Sequence, residues 1–388
     1  MKRSISIAVF VLLFAVEFAT GHSPAPVRVG ATALQRGADA IHALGVPAVL
    51  VEAVVDGKPT VVARSGVAEL ESNAPLAPDA HFHIASNTKT FVATVTLQLA
   101  AVGKISLEDT VEKWLPGLVT GNGNDGSRIT IRNLLQHSSG LVDYTEDLPI
   151  RSAADWEPER LRTYEPQELV NMSMRHAPQW FPQPHEQRFS YANVNFVLAG
   201  MIIERAAGRS WEEEVQDRIV RRLSLRNTIA PGTSAGVPKP YVHSYFRFGL
   251  DAPWLDTTFF NSTVVGASGA LISTTADLST FLRALLGGKL LSAAQLSEMQ
   301  QTIDAKQLQD LYPGLRYGLG LMWRPLKCGG GYWNHTGNGI SGATRNGVTA
   351  DGRRSIVVYI SAELHEPQLW PRQEKAAYDL IEQVLCGK

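Results

Sequence analysis

Strand signals lie at both ends of this chain, with helix and loop signals between them, and that arrangement limits the folds open to it. Ala48 to Val55 reads as a buried strand, Asp56-Gly57 is a turn signal, and Thr60 to Ala63 reads as the returning half of a hairpin. Towards the other end, Tyr317 to Trp323 and Ser355 to Ser361 read as strands, with Asp351-Gly352 marking a turn before the last one. Helical spacing brackets both groups. Leu34, Ala38, Ile41 and Leu44 share a face ahead of the stop at Gly45, and Ala377, Leu380, Ile381, Val384 and Leu385 give one apolar face to Arg372 to Leu385. A sheet drawn from both ends makes the middle of the chain an insertion. The expected class is therefore α+β: an antiparallel sheet region flanked by helices (residues 30–104 and 266–388) around a mostly helical inserted region (105–265), the two forming a single unit. The densest loop signal, Thr120 to Ser127, and the Pro/Gly-rich stretch Ala230 to Pro240 both fall inside that insertion, and no internal repeat is seen.

Reactive side chains concentrate around Ser86. Ser86 and Lys89 form the only S-x-x-K in the chain, followed by Phe91 to Ala100, which is apolar enough for a buried helix. Residues three apart share a helix face, so the amine can reach the hydroxyl oxygen. A serine hydroxyl needs a neighbouring base to become a nucleophile, and lysine serves only where desolvation lowers its pKa. By itself the motif fits equally well a solvent-facing lysine on a first helical turn. Two companions shift that balance: Ser190-Tyr191-Ala192-Asn193 and Trp333-Asn334-His335-Thr336-Gly337. Tyr191 is a second candidate base, provided a cation such as Lys89 lies near, because a phenol ordinarily titrates near pH 10. Asn193 carries an amide able to accept from Lys89 and to donate to a substrate carbonyl.

In the order S-x-x-K, Y-x-N, H-T-G these motifs resemble the serine β-lactamase and penicillin-binding-protein superfamily. In detail they are most similar to its class C β-lactamase-related branch, especially secreted D-alanyl-D-alanine carboxypeptidases. Ser65 to Glu69, Leu134 to Leu141, Gly269 to Thr274 and Tyr317 to Gly320 extend the likeness over nearly all of the chain after about residue 30. The resemblance implies the same architecture, as a single catalytic unit with its site between the two regions. It also implies Ser86 as the acyl-enzyme nucleophile, Lys89 and Tyr191 as its acid–base partners, and Asn193, His335, Thr336 and Gly337 as substrate-binding residues. The backbone N–H groups of Ser86 and Asn338 become the oxyanion hole on the same grounds. His335 stands where the β-lactamases usually carry lysine. It could orient the tyrosine hydroxyl or add positive charge below about pH 6.5. Gly337 is expected to let substrate approach the strand backbone closely.

The expected function is an exported serine hydrolase, in the first reading a D-alanyl-D-alanine carboxypeptidase. Esterase, D-amino-acid peptidase and β-lactamase activities of the same fold are the alternatives, and a non-catalytic penicillin-binding-like module is the reading from another class. The expected partner is a small peptide, ester or β-lactam, the chain is expected to be a monomer, and neither cofactor nor metal is called for. His81-Phe82-His83 is explained by strand alternation rather than by a metal. Gly266 to Ala270 misses the G-x-S-x-G elbow because Ala270 replaces its second glycine. Arg345 reads as a surface arginine rather than a carboxylate anchor.

Lys2 and Arg3, the apolar stretch Ile5 to Val16, and Ala19-Thr20-Gly21 read as a signal peptide over residues 1–21, leaving a chain that starts at His22. Secretion or a periplasmic, cell-envelope location follows, with no membrane attachment after cleavage. In an exported chain the two cysteines, Cys328 and Cys386, are expected to pair and tie the last helix to a strand. A net charge of −1 leaves no basic footprint for nucleic acid.

Overall fold

The strands nearest the two chain ends are apolar on both faces because both faces are covered. In the computed structural model, which describes residues 30–183, 186–250 and 252–387, β1 (Ala48–Val55) sends Val49, Val51 and Ala53 to one side and Leu50 to the other. The signal-peptide reading falls on residues outside those described. β1 pairs with β2 (Val61–Gly66), as the hairpin signal anticipates. The sheet continues with β3 (Ile303–Asp304), β4 (Arg316–Tyr317), β5 (Met322–Pro325), β6 (Gly331–Asn334), β7 (Ala343–Val348) and β8 (Arg354–Ile360). Its eight strands run in the order β2-β1-β8-β7-β6-β5-β4-β3, each antiparallel to its neighbours. The first and last long strands are thus adjacent, with Val51 opposite Val358. The class is α+β with an antiparallel sheet, as the sequence implies.

Two helices cover one face. Leu34, Ala38 and Ile41 of α1 (Ala31–His42) and Ala377, Leu380, Ile381 and Val384 of α5 (Trp370–Cys386) pack on Val49, Val51, Ile356 and Val358. The opposite face meets the larger core, through Leu50, Val357 and Tyr359. At its centre runs α2 (Thr88–Ala101), buried at every residue from Thr88 to Leu99, as in a helix enclosed on every side. Phe91 of α2 stacks on Phe281 of α4 (Thr275–Leu286) with ring centroids 3.6 Å apart, and α3 (Val194–Ala207), from the middle of the chain, packs against α2. Among the described residues no helix is long and apolar enough to cross a membrane.

Three expectations need correction. Tyr317 to Trp323 is not one strand but the turn of the β4–β5 hairpin, in which Tyr317 faces Met322. The chain reverses there because Gly320, at φ +65°, lies against α2, where a Cβ would come within 2.6 Å of Ala93 Cβ and 3.0 Å of the Lys89 carbonyl oxygen. Arg345 is not on the surface. It is buried on β7 and pairs with Glu374 of α5, its Nε 2.9 Å from both carboxylate oxygens. The Cys328–Cys386 disulfide is present, but it joins α5 to the turn between β5 and β6 rather than to a strand.

Candidate active site

Ser86 lies in a 3₁₀ turn, Ala85–Asn87, that feeds directly into α2. The turn is tight enough to place Ala85 at φ +46°, a left-handed conformation that L-residues other than glycine hold only when their surroundings impose it. Ile84 supplies that restraint, donating its N–H to the Leu271 carbonyl at 2.9 Å and accepting from the Asn87 amide at 2.8 Å. Lys89 follows at the start of α2, fully buried, and its Nζ reaches Ser86 Oγ at 3.0 Å, Asn193 Oδ1 at 2.7 Å and the Ser268 carbonyl at 2.8 Å. Desolvation lowers its pKa to about 7, against an opposing pull from Asp143. Near neutral pH a substantial share of this amine is therefore free of its proton and within hydrogen-bonding distance of the serine.

Asn193 immediately precedes α3 and holds one fixed orientation. Its backbone N–H and Nδ2 both donate to Asp143, at 2.8 and 2.9 Å, which turns Oδ1 toward Lys89. The expected acceptance from Lys89 is present, and because Asp143 takes only one of the two amide N–H groups, the other stays available to a substrate carbonyl. Asn195, two residues on, serves the core: it accepts from the Ser139 hydroxyl at 2.7 Å, and its amide lies 3.1 Å from His137 Nδ1. The Tyr191 hydroxyl hydrogen-bonds Ser86, and Lys89 Nζ lies 4.9 Å from the centre of its ring. Burial nevertheless pushes this phenol well above its ordinary range, so it stays protonated. Behind it the His137 ring lies tilted at 31° with its centre 4.2 Å away, and burial holds that imidazole well below its usual pKa.

His335 and Thr336 extend β6 beyond Asn334, beside the nucleophile turn. His335 is buried and neutral, its pKa lowered to about 3 by desolvation and by Lys89. Its Nδ1 lies 2.8 Å from the Thr336 carbonyl, which fixes the proton there and leaves Nε2 to accept from Tyr317 OH at 2.9 Å. The option of a positive charge below pH 6.5 is therefore withdrawn, and the tyrosine His335 orients is Tyr317, not Tyr191. Gly337 does permit a close approach, but of protein rather than substrate. A Cβ there would lie 2.7 Å from the Ile84 carbonyl oxygen and 3.0 Å from Asn87 Nδ2. Asn346 bridges the same two elements, donating to Asn87 Oδ1 at 2.6 Å and to the His335 carbonyl at 2.7 Å.

Two cavities open on Ser86, and Ser86, Asn193 and Asn338 line both. One, about 330 Å³, is walled by Trp156, Phe246, Phe248 and Phe260. The other, about 510 Å³, is bordered by Tyr191, Gln307, Tyr312, Thr336 and Glu363. Sequence reasoning found Ser86, Lys89, Tyr191, Asn193 and the H-T-G segment, and the fold brings them together. It missed Asp143, Ser268 and the aromatic wall. Ser268 contributes only its carbonyl, which any residue type could supply, and Asp143 is a lone loop carboxylate outside any periodic pattern.

A family model described as Beta-lactamase matches residues 34–379. A penicillin-binding protein of Bacillus subtilis (strain 168) is 25% identical over 83% of this chain and 69% of its own length. Two further curated relatives are matched over 34% and 66% of their own lengths. A D-stereospecific amidohydrolase from Streptomyces sp. superposes with a TM-score of 0.82 at 38% identity, covering 92% of this chain and 99% of that one. The D-amino acid amidase from Ochrobactrum anthropi SV3 complexed with D-phenylalanine gives a TM-score of 0.77 at 26% identity, covering 92% and 98%.

Proposed function

The chain belongs to the beta-lactamase family, and from that premise we propose that it is a serine amidohydrolase forming an acyl-enzyme on Ser86 with D-configured amino acid derivatives that carry bulky apolar side chains. The observation that carries the reading is the position of Lys89 Nζ, 3.0 Å from Ser86 Oγ at the mouth of an aromatic cavity. Neutral Lys89 takes the serine proton as Oγ attacks the substrate carbonyl, and the backbone N–H groups of Ser86 and Asn338 receive the developing oxyanion. Tyr191, which burial keeps protonated, passes its proton to the leaving nitrogen, and the Lys89 ammonium restores it, so the serine proton leaves with the amine. Water then releases the acid from Ser86.

The aromatic wall supports the choice of acyl group. The methyl of D-alanine would leave most of 330 Å³ unfilled, while a phenyl ring meets Phe246, Phe248 and Phe260. The D configuration is taken from the named relatives, an amidohydrolase and an amidase. The carboxypeptidase reading is second, favoured by the likeness to a penicillin-binding protein. Turnover of D- and L-phenylalaninamide, a D-Ala-D-Ala peptide, a chromogenic cephalosporin and a p-nitrophenyl ester, measured side by side, decides between them. D-phenylalaninamide should be the best of the amides, and a faster D-Ala-D-Ala peptide would restore the carboxypeptidase. A binding module would show no adduct on Ser86 by mass spectrometry with any acylating probe. We further place the enzyme outside the cytoplasm, a reading the Cys328–Cys386 bridge supports, and N-terminal sequencing of secreted protein should begin at His22.

A further inference from the structure

The cavity on the Tyr191 side of Ser86 differs in character from the aromatic one. Tyr191 lines this cavity and not the other, so the group that takes the tyrosine proton, the leaving group, departs here. Among the described residues around it Glu363 is the charged side chain. The residue is 8% exposed, and its carboxylate accepts from Trp370 Nε1 at 3.2 Å and lies 3.6 Å from Arg345 Nη2. Arg345 neutralises it only in part, because that guanidinium is shared with Glu374, which it binds through Nε, and its Nη1 donates to the Gly337 carbonyl at 2.8 Å. One buried cation thus faces two carboxylates, and the carboxylate bordering the cavity is the one less closely paired. Among the described residues no cation lines this cavity. Lys89 is turned toward Ser86, Asn193 and Ser268, and His335 is neutral with both ring nitrogens engaged.

We propose that Glu363 makes this cavity reject carboxylates, so that the enzyme expels uncharged or cationic amines and alcohols (ammonia, an amino acid amide, an alkylamine) rather than an amino acid with a free α-carboxylate. The proposal rests on the amidohydrolase reading and narrows its substrate class. An exopeptidase that removes a C-terminal residue must seat a carboxylate within this cavity, where Glu363 opposes it and no lining cation attracts it.

The test compares kcat/KM for D-Phe-D-Ala and for the same dipeptide capped as its C-terminal carboxamide. Wild-type enzyme should prefer the capped form by about tenfold or more, as expected for like charges brought together. Glu363→Gln, which keeps a partner for Trp370, should bring the ratio to within about threefold, and high salt should narrow it in the wild type. Equal rates for the two dipeptides in wild type, or an unchanged ratio in folded Glu363→Gln, would overturn the charge rule while leaving D-phenylalaninamide hydrolysis intact. Preference for the free carboxylate would overturn both readings. If no dipeptide turns over, the pair is compared as competitors of Ser86 labelling by a penicillin. Stronger protection by the capped form supports the rule, and stronger or equal protection by the free acid overturns it.

Discussion

Lys89 meets two requirements at once: it must be dry enough to lose its proton and close enough to Ser86 to accept another. Both follow from its place at the first turn of an enclosed helix, and they give a pH dependence with a definite sign. The active form is the neutral amine, so kcat/KM for amide hydrolysis should fall as pH drops through about 7, about tenfold per unit well below it. His335, held to about 3, should add no step between pH 5 and 8. A profile flat down to pH 5 would remove Lys89 from the role of base. Lys89→Ala should cost about 10² or more in kcat, and Ser86→Ala should abolish acylation, read by burst-phase kinetics. These residues were legible in the sequence because each motif fixes a side-chain type at a set spacing. His335 was legible in position but not in charge state, since burial by Tyr317 and Tyr191 is a property of distant chain segments.

Gly337 and Arg345 act through the elements they join. The strand end and the nucleophile turn touch backbone to side chain at Gly337, and the atoms in the way, Ile84 O and Asn87 Nδ2, belong to the turn that aims Ser86. Gly337→Ala should therefore part the two elements, lowering kcat by at least about tenfold and stability by about 1–3 kcal/mol, measured by steady-state kinetics and urea unfolding. Arg345→Met leaves Glu374 and Glu363 without their cation and should cost about 3–5 kcal/mol in the same unfolding experiment, as breaking a buried pair does. Wild-type stability in that variant would mean the pair contributes nothing. At this scale the sequence was read well where periodicity is strong, as in α1, β1, β8 and α5. It was misread at Tyr317 to Trp323, where an apolar run hides a reversal imposed by contact with α2, and at Arg345, whose partner lies on α5.

Across the whole molecule, the pattern of strands at both ends was enough to give the class, because so few arrangements cover both faces of such a sheet. The order of its eight strands was not legible, since several of them are too short to carry a period. Closing 58 residues between Cys328 and Cys386, the bridge should stabilise by about 2–4 kcal/mol, so Cys386→Ser should unfold at lower urea while retaining most activity at moderate temperature. Two free thiols in the unfolded, unreduced protein would show the bridge absent. The pairing of β1 with β8 also governs when the protein can form at all. The Ala48 N–H donates to the Ser361 hydroxyl across 313 residues, so the first long strand gains its second neighbour only after nearly the whole chain has been synthesised. A nascent chain halted before residue 354 holds β1 as an open edge and leaves uncovered the part of the α1 face that meets the C-terminal helix, the exposed surfaces through which partly made proteins aggregate.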